Sequence, residues 1–222
     1  MPPLKVVALT PAGARLAQRL CRSLKGAECW LPASRTVPGA RTFEGLAAVF
    51  AEAFAQGGSL VCIMAAGVVV RHLAPLLQGK DRDPAVVVVD EQGRFAVSLL
   101  SGHLGGANDL AQQVAAALGG TPVITTATDV QGLPSLDLVA GRAGLVIENL
   151  EGVKEVSMAL LEGRPVQLVD QEGFLTEPLQ NYPPLFQPQP DLDAALGHGL
   201  TPAVYVGIEE RPWPAGWLRL RP

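Results

Sequence analysis

The chain is poor in charge, in aromatic side chains and in cysteine, and each shortage narrows what it can be. Charged residues make up 17% of its 222 positions and hydrophobic residues 48%, a balance that excludes an intrinsically disordered chain. Aromatic residues account for only 5%; the dominance of Ala, Val and Leu suits helices packed on a buried parallel sheet better than an aromatic-rich β-sandwich. Three cysteines, Cys21, Cys29 and Cys62, are odd in number and lack metal or redox spacing, so they read as buried or incidental thiols in a reducing compartment. The longest apolar run, Leu60 to Val70, stops at Arg71, short of the roughly 20 residues of a spanning helix. The N-terminus, Met1-Pro2-Pro3 leading through Lys5 to Thr10-Pro11, lacks the layout of a signal peptide. A cytoplasmic protein is expected. The formal charge of −4 offers nothing to nucleic acid or to an anionic membrane, so an anionic substrate would need a local basic patch.

Familiar chemistries are missing as well. No GxxxxGK[ST] occurs and no GxGxxG follows a strand. His72, His103 and His198 have neither His-x-x-x-His nor Cys/His spacing, so no protein-bound metal is expected. Ser101 is not in a G-x-S-x-G elbow.

What is present is alternation of short apolar runs with helical stripes. Leu4–Leu9 reads as a strand buried on both faces, Thr10 as a helix cap and Pro11 as the first helical residue. Ala14–Leu24 carries Leu16, Leu20 and Leu24 on one stripe. Further strands are expected at Ala27–Leu31, Leu60–Ala65 and Pro122–Thr125, and helices at Phe43–Phe54, Gly67–Leu77 and Leu104–Leu118. Ala85–Asp90 and Arg94–Leu99 flank Glu91-Gln92-Gly93, the length and composition of a hairpin turn. After about Gly132 the character changes. Helices at Leu136–Gly141 and Glu151–Leu161 alternate with strands at Leu145–Ile147, Val166–Val169, Ala203–Gly207 and Trp217–Leu220, whereas the Pro- and Gln-rich stretch Glu177–Asp193 reads as an open loop. The fold class is α/β: an open, mostly parallel sheet with flanking helices over residues 1–140, then a smaller α/β domain over 141–222.

Three stretches combine glycine with polar residues beside a strand end, and in an open α/β sheet they should converge on the crevice at the carboxyl ends of the strands. The first runs from Ala65 to Lys80 and is followed by Asp81-Arg82-Asp83-Pro84. Gly67 lets a backbone approach a ligand, and Arg71, Lys80 and Arg82 could supply positive charge; on spacing alone the plainer reading, solvated Arg71 and His72 with Gly79 closing the helix, is favoured. The second, Ser101-Gly102-His103-Leu104-Gly105-Gly106-Ala107-Asn108-Asp109, sets an imidazole suited to proton transfer among glycines at the mouth of a helix. Gly105 and Gly106 could expose a peptide N–H to an oxyanion, and Asn108 and Asp109 could cap the helix or orient a neighbour. The third is Ile124-Thr125-Thr126-Ala127-Thr128-Asp129, whose hydroxyls and carboxylate suit a ligand and an ordinary turn equally.

Read together, Ala65–Asp129, with its Ser-Gly-His-Leu-Gly-Gly-Ala-Asn block followed by Thr-Thr-Ala-Thr-Asp, resembles the N-terminal region of the CbiG family of cobalamin-biosynthesis proteins, the cobalt-precorrin-5A hydrolases. Leu145 to Pro222, with Leu-Leu-Glu-Gly-Arg-Pro-Val and Val-Tyr-Val-Gly-Ile, resembles that family's central region. The resemblance implies a hydrolase that opens the δ-lactone of cobalt-precorrin-5A and releases acetaldehyde to give cobalt-precorrin-5B, with cobalt carried by the tetrapyrrole substrate and no protein-bound cofactor. On this reading His103 is the base toward water, and peptide N–H groups near Gly105 and Gly106 hold the oxyanion. Asp109 or Asp129 orients His103 or handles a second proton. Arg71, Lys80 and Arg82 pair with the acetate and propionate arms, while Ser101, Gly102, Asn108, Thr125 and Thr126 shape the substrate site. Family members usually continue into a third, C-terminal domain near where this sequence stops, which implies a partner domain encoded separately or removed. Two other readings stay open: a non-catalytic module that binds the corrinoid or another domain, and a nucleotide-binding domain using Gly105-Gly106 as a phosphate loop.

Overall fold

A computed structural model describes every residue except Met1, Pro2, Thr36, Lys80, Asp81, Pro183, His198, Leu200 and Thr201. The chain divides into two compact units, Met1–Thr125 and Thr126–Pro222. The division precedes the expected change near residue 140 because Leu136, Val139 and Ala140 pack into the core of the second unit.

In the first unit, β1 (Leu4–Ala8) leads through Thr10 into α1 (Pro11–Ser23), whose cap is the expected one: the Thr10 hydroxyl accepts the Gly13 N–H at 3.0 Å, and Pro11 begins the helix. There follow β2 (Ala27–Pro32), β3 (Arg41–Phe43), α2 (Leu46–Gln56), β4 (Leu60–Ile63) and α3 (Ala66–Leu73). The hairpin β5 (Val86–Val89) and β6 (Phe95–Leu100), α4 (Ala107–Leu118) and β7 (Thr121–Val123) complete it. Phe43 pairs in the short strand β3 instead of opening a helix. Helix α4 starts three residues later than its apolar pattern suggests, because Gly106 adopts a left-handed φ of 82°.

The strands lie in the order β3-β2-β1-β4-β5-β6-β7. Pairs from β3 through β5 are parallel, β5 and β6 are antiparallel, and β7 is parallel to β6. Two strands therefore run against the other five. Alternate side chains feed two cores. Val6, Ala8, Val61, Ile63, Val87 and Val89 meet α1 and α4 on one face, while Val7, Leu60, Cys62, Val86 and Val88 meet α2 and α3 on the other. This two-sided burial explains why the strands read as unbroken apolar runs. Lys5 on β1 is 1% exposed; its ammonium contacts Glu52 at 2.9 Å and lies 4.2 Å from the centre of the Trp30 ring. A buried cation is tolerated there because an anion and a ring face replace water.

The second unit contains α5 (Ala127–Val130), α6 (Leu136–Arg142), β8 (Val146–Ile147), α7 (Leu150–Leu161), β9 (Val166–Val169), α8 (Thr176–Leu179), β10 (Phe186–Pro188), α9 (Leu192–Gly197), β11 (Ala203–Val206) and β12 (Trp217–Arg221). Its sheet has the order β10-β9-β11-β12-β8, parallel except for β8. The stretch Glu177–Asp193, expected to be an open loop, contains most of α8, all of β10 and the start of α9. Pro188 is compatible with β10 because that strand lies at the sheet edge, where a missing N–H costs little. Helix α7 sits unusually close to β12. A Cβ on Gly152 would stand 2.5 Å from the Trp217 carbonyl oxygen and 2.6 Å from Leu218 Cα. The neighbouring Asn149 amide donates to Trp217 O and its oxygen accepts the Arg219 N–H, both at 2.8 Å. Among the described residues no helix is long and apolar enough to cross a membrane.

Candidate active site

The chain between Leu100 and Ala107 must leave a strand and enter a helix within a few residues, and its backbone does so with two left-handed residues, Ser101 at φ 59° and Gly106 at φ 82°. The turn closes on itself. The Ala107 N–H donates to Ser101 O at 3.0 Å, Asn108 N–H to Gly102 O at 3.0 Å, and Gly106 N–H to His103 O at 2.8 Å. The first donors of α4, which a helix otherwise leaves unmet, are thus satisfied by the loop's own carbonyls. This corrects the expected oxyanion role of Gly106, whose N–H is already engaged, and it leaves no phosphate cradle of the nucleotide-binding kind at these donors.

The glycines are there for space. A Cβ on Gly105 would lie 2.4 Å from Ser101 Cβ and 2.8 Å from Ser101 O, and one on Gly102 would lie 2.8 Å from Asn108 Oδ1. Behind them Asn108 is 4% exposed, and its Oδ1 accepts the Ser98 hydroxyl at 2.7 Å. Asn108 is therefore scaffold, fastening β6 to α4 beneath the loop. Ser98 was not singled out in the sequence; its alternation position on β6 was the available signal. Ser101 Oγ is buried without a hydrogen-bond partner among the described atoms. His103 is half-buried on the loop, and Asp109 is exposed in the first turn of α4.

A second segment meets this loop. Asp83, 6% exposed, accepts the N–H groups of Gln78 at 2.9 Å and Gly79 at 3.2 Å, which ties it to the end of the preceding segment. Arg82, Ser59, Leu104 and Gly105 line a cavity of about 230 Å³. Asp83 was another residue that sequence reasoning passed over. Thr125, exposed, follows β7 at this same end of the sheet.

The expected convergence of three stretches fails at Gly67 and Arg71. Because β6 runs against β5, the carboxyl end of β6 lies beside the amino end of β5, whereas Gly67 opens α3 beyond the carboxyl end of β4. The Arg71 guanidinium turns back onto Gly67 O at 3.0 Å, and His72 packs its ring against Phe50 with centroids 5.6 Å apart. Thr126 and Asp129 belong to the second unit, Thr126 as the residue before α5 and Asp129 exposed within it. Lys80 lies outside the described residues.

The crevice beyond the carboxyl ends of β1, β4 and β5 is a separate feature of about 580 Å³, lined by Ile63, Met64, Val68, Val88 and Phe95 with Thr10, Asp90 and Glu91 at its polar margin. Those polar groups are already partnered. The Thr10 hydroxyl donates to Glu91, and Asp90 accepts the N–H groups of Gln92 at 2.9 Å and Phe95 at 2.6 Å. Desolvation pushes the Asp90 carboxyl up, but the N–H groups of Phe95, Gln92 and Arg94, with the Arg94 charge, outweigh it and hold it below the usual carboxylate range. Among the described residues no group of His, Cys, Asp and Glu could hold a metal ion.

Two α/β units, the first bearing a self-capped Gly-His-Leu-Gly-Gly loop, define the class of protein, and comparison with known sequences defines the family. Residues 48–129 match the family model described as Cobalamin synthesis G N-terminal, and residues 134–222 match Cobalamin biosynthesis central region. The chain belongs to this cobalamin-biosynthesis G (CbiG) family. It is 47% identical over 114 residues to a protein of Priestia megaterium named cobalt-precorrin-5A hydrolase, covering 51% of this chain and 30% of that one. It is 43% identical over 162 residues to a protein of the same name from Salmonella typhimurium, covering 72% of this chain and 46% of that one. The crystal structure of a cobalamin biosynthesis protein G homolog from Sulfolobus solfataricus superposes with a TM-score of 0.50 at 18% identity, over 99% of this chain and 60% of that one; it shares the fold. The chain spans less than half the length of each of these two curated relatives.

Proposed function

We propose that this chain acts in anaerobic cobalamin biosynthesis as a cobalt-precorrin-5A hydrolase, taking a cobalt-tetrapyrrole substrate whose cobalt arrives with it. The observation that carries the reading is the loop Ser101–Gly106. It is held by Asn108 and Ser98, carries His103, lines the Arg82 cavity through Leu104 and Gly105, and falls in the region matched by the N-terminal family model. His103 takes a proton from water as the water adds to the lactone carbonyl. The ring C–O bond breaks, giving a carboxylate and a free hydroxyl. Loss of that hydroxyl's proton, with cleavage of the adjacent carbon–carbon bond, releases acetaldehyde and leaves the electron pair on the conjugated macrocycle. Asp109, in the first turn of α4, is the carboxylate assigned to the second proton, and Arg82 pairs with a carboxylate arm.

The test is anaerobic incubation of the chain with cobalt-precorrin-5A, assaying acetaldehyde and the lactone-opened product. Turnover that falls about 10²–10⁴-fold in His103→Ala is expected of a lost general base; full turnover in that variant removes His103 from the mechanism. Binding without release would favour the alternative of a corrinoid-binding module completed by a further domain. The absence of both binding and release would overturn the proposal.

A further inference from the structure

The second unit carries a cleft of about 920 Å³ between the first turns of α7 and the segment Trp213–Trp217. One wall is a half-buried indole. Trp213 is held between Tyr205, at a centroid separation of 4.7 Å, and Trp217, at 5.9 Å, and the Arg219 guanidinium lies 5.9 Å from its ring centre. Lys154 and Arg219 line the cleft together with Glu151 and Glu155. A part-buried ring held by two aromatic neighbours and lining a cleft offers a stacking contact to a conjugated plane. Charges of both signs around it suit a ligand that bears carboxylate arms about a cationic centre better than a simple anion. The volume is at the upper end of ordinary small-molecule sites.

We propose that this cleft is a binding subsite for a cobalt tetrapyrrole carrying peripheral carboxylates, with the macrocycle stacked on Trp213 and an arm paired with Lys154 or Arg219. The identity of the ligand rests on the function proposed above; the location does not. The residues that line the subsite all belong to the second unit.

Cobyrinic acid, a stable cobalt corrin with free carboxylates, serves as the probe, with its partition across a dialysis membrane read by visible absorbance. The intact chain is expected to bind it saturably. Trp213→Ala should weaken binding about tenfold or more, and Lys154→Gln, an exposed change that leaves the aromatic cluster intact, a few-fold with a shallower salt dependence. Unchanged affinity in both variants, or no binding by the intact chain, overturns the proposal. Concentration-dependent self-association abolished by Trp213→Ala, without corrin binding, would show a protein-docking face and also overturn it. Corrin binding lost in Trp213→Ala while the intact chain releases no acetaldehyde would leave the subsite standing and the hydrolase reading without support. Acetaldehyde release with an unchanged KM in Trp213→Ala would do the reverse.

Discussion

Gly152→Ala sets helix propensity against packing. Alanine is favoured over glycine inside a helix by about 1 kcal/mol, so the sequence alone argues for stabilisation. In the structure the new methyl would sit 2.5 Å from Trp217 O, 2.6 Å from Leu218 Cα and 2.7 Å from Asn149 Nδ2. Two of these three are backbone atoms of a central strand and cannot swing aside, so α7 must retreat from β12 by about an ångström. Overpacking of this kind costs about 1–3 kcal/mol. The retreat also stretches the two Asn149 bonds to β12, each worth about 1 kcal/mol, so the net expectation is a loss of about 2 kcal/mol after the propensity gain is deducted. Urea unfolding followed by tryptophan emission reads this well. Two of the chain's three tryptophans, Trp213 and Trp217, lie in the second unit, and Trp217 is on β12 itself. At a typical slope the midpoint of that transition falls by about 1 M. Gly141→Ala in α6, where a Cβ meets nothing within 4 Å, is the control and should raise stability by about 0.5–1 kcal/mol. A Gly152→Ala protein as stable as the parent would refute the argument from close approach.

Other perturbations test the first unit. Gly105→Ala should destabilise it by about 1–3 kcal/mol, because Ser101 Cβ and O occupy the space at 2.4 and 2.8 Å; denaturant midpoints report this. Asn108→Ala leaves the Ser98 hydroxyl without its acceptor and should cost about 1–3 kcal/mol, with hydrogen exchange rising first in peptides spanning residues 98–108. The Glu52 carboxyl is held below its ordinary range chiefly by the hydrogen bond from Lys5, against an opposing desolvation, with the Lys5 charge, Gln56 and Arg41 adding to the lowering. A depressed carboxylate stabilises above its unfolded pKa and loses that contribution as pH falls through the folded one. The parent should therefore lose more stability than Glu52→Gln as pH drops below about 4, which thermal unfolding at pH 7, 5 and 3 would show.

Much of this architecture was legible because its causes are local. Val86–Val89 is apolar at every position since both sheet faces are covered, and Glu91-Gln92-Gly93 turns the hairpin that reverses β6. That same reversal carried the consequence that the sequence reading did not draw: it sends the Ser101–Asp109 loop away from Gly67 and α3. Periodicity fixes which residues face inward but not to which end of a sheet a loop returns. The edge strand Phe186–Pro188 was hidden because proline signals a break wherever a strand needs all its donors, and an edge strand does not. The Gly106 donor looked available because glycine content marks room for a ligand and for a tight turn alike; only its distance to His103 O separates the two. Asp83 and Ser98 escaped notice because neither stands in a residue pattern that points to chemistry. Each acts by holding a neighbouring segment, a role defined by contacts distant in sequence or across a turn.

The reversed strand also gives the experimenter a handle. Gln92 sits exposed at the tip of the β5–β6 hairpin, a full strand length (roughly 15–20 Å) from the loop that bears His103. A fluorophore or surface tether attached through Gln92→Cys would report on or immobilise the first unit while leaving the opposite rim open to solvent. Loop insertions at that tip should be absorbed by the hairpin alone, so the two rims of this sheet can be engineered independently.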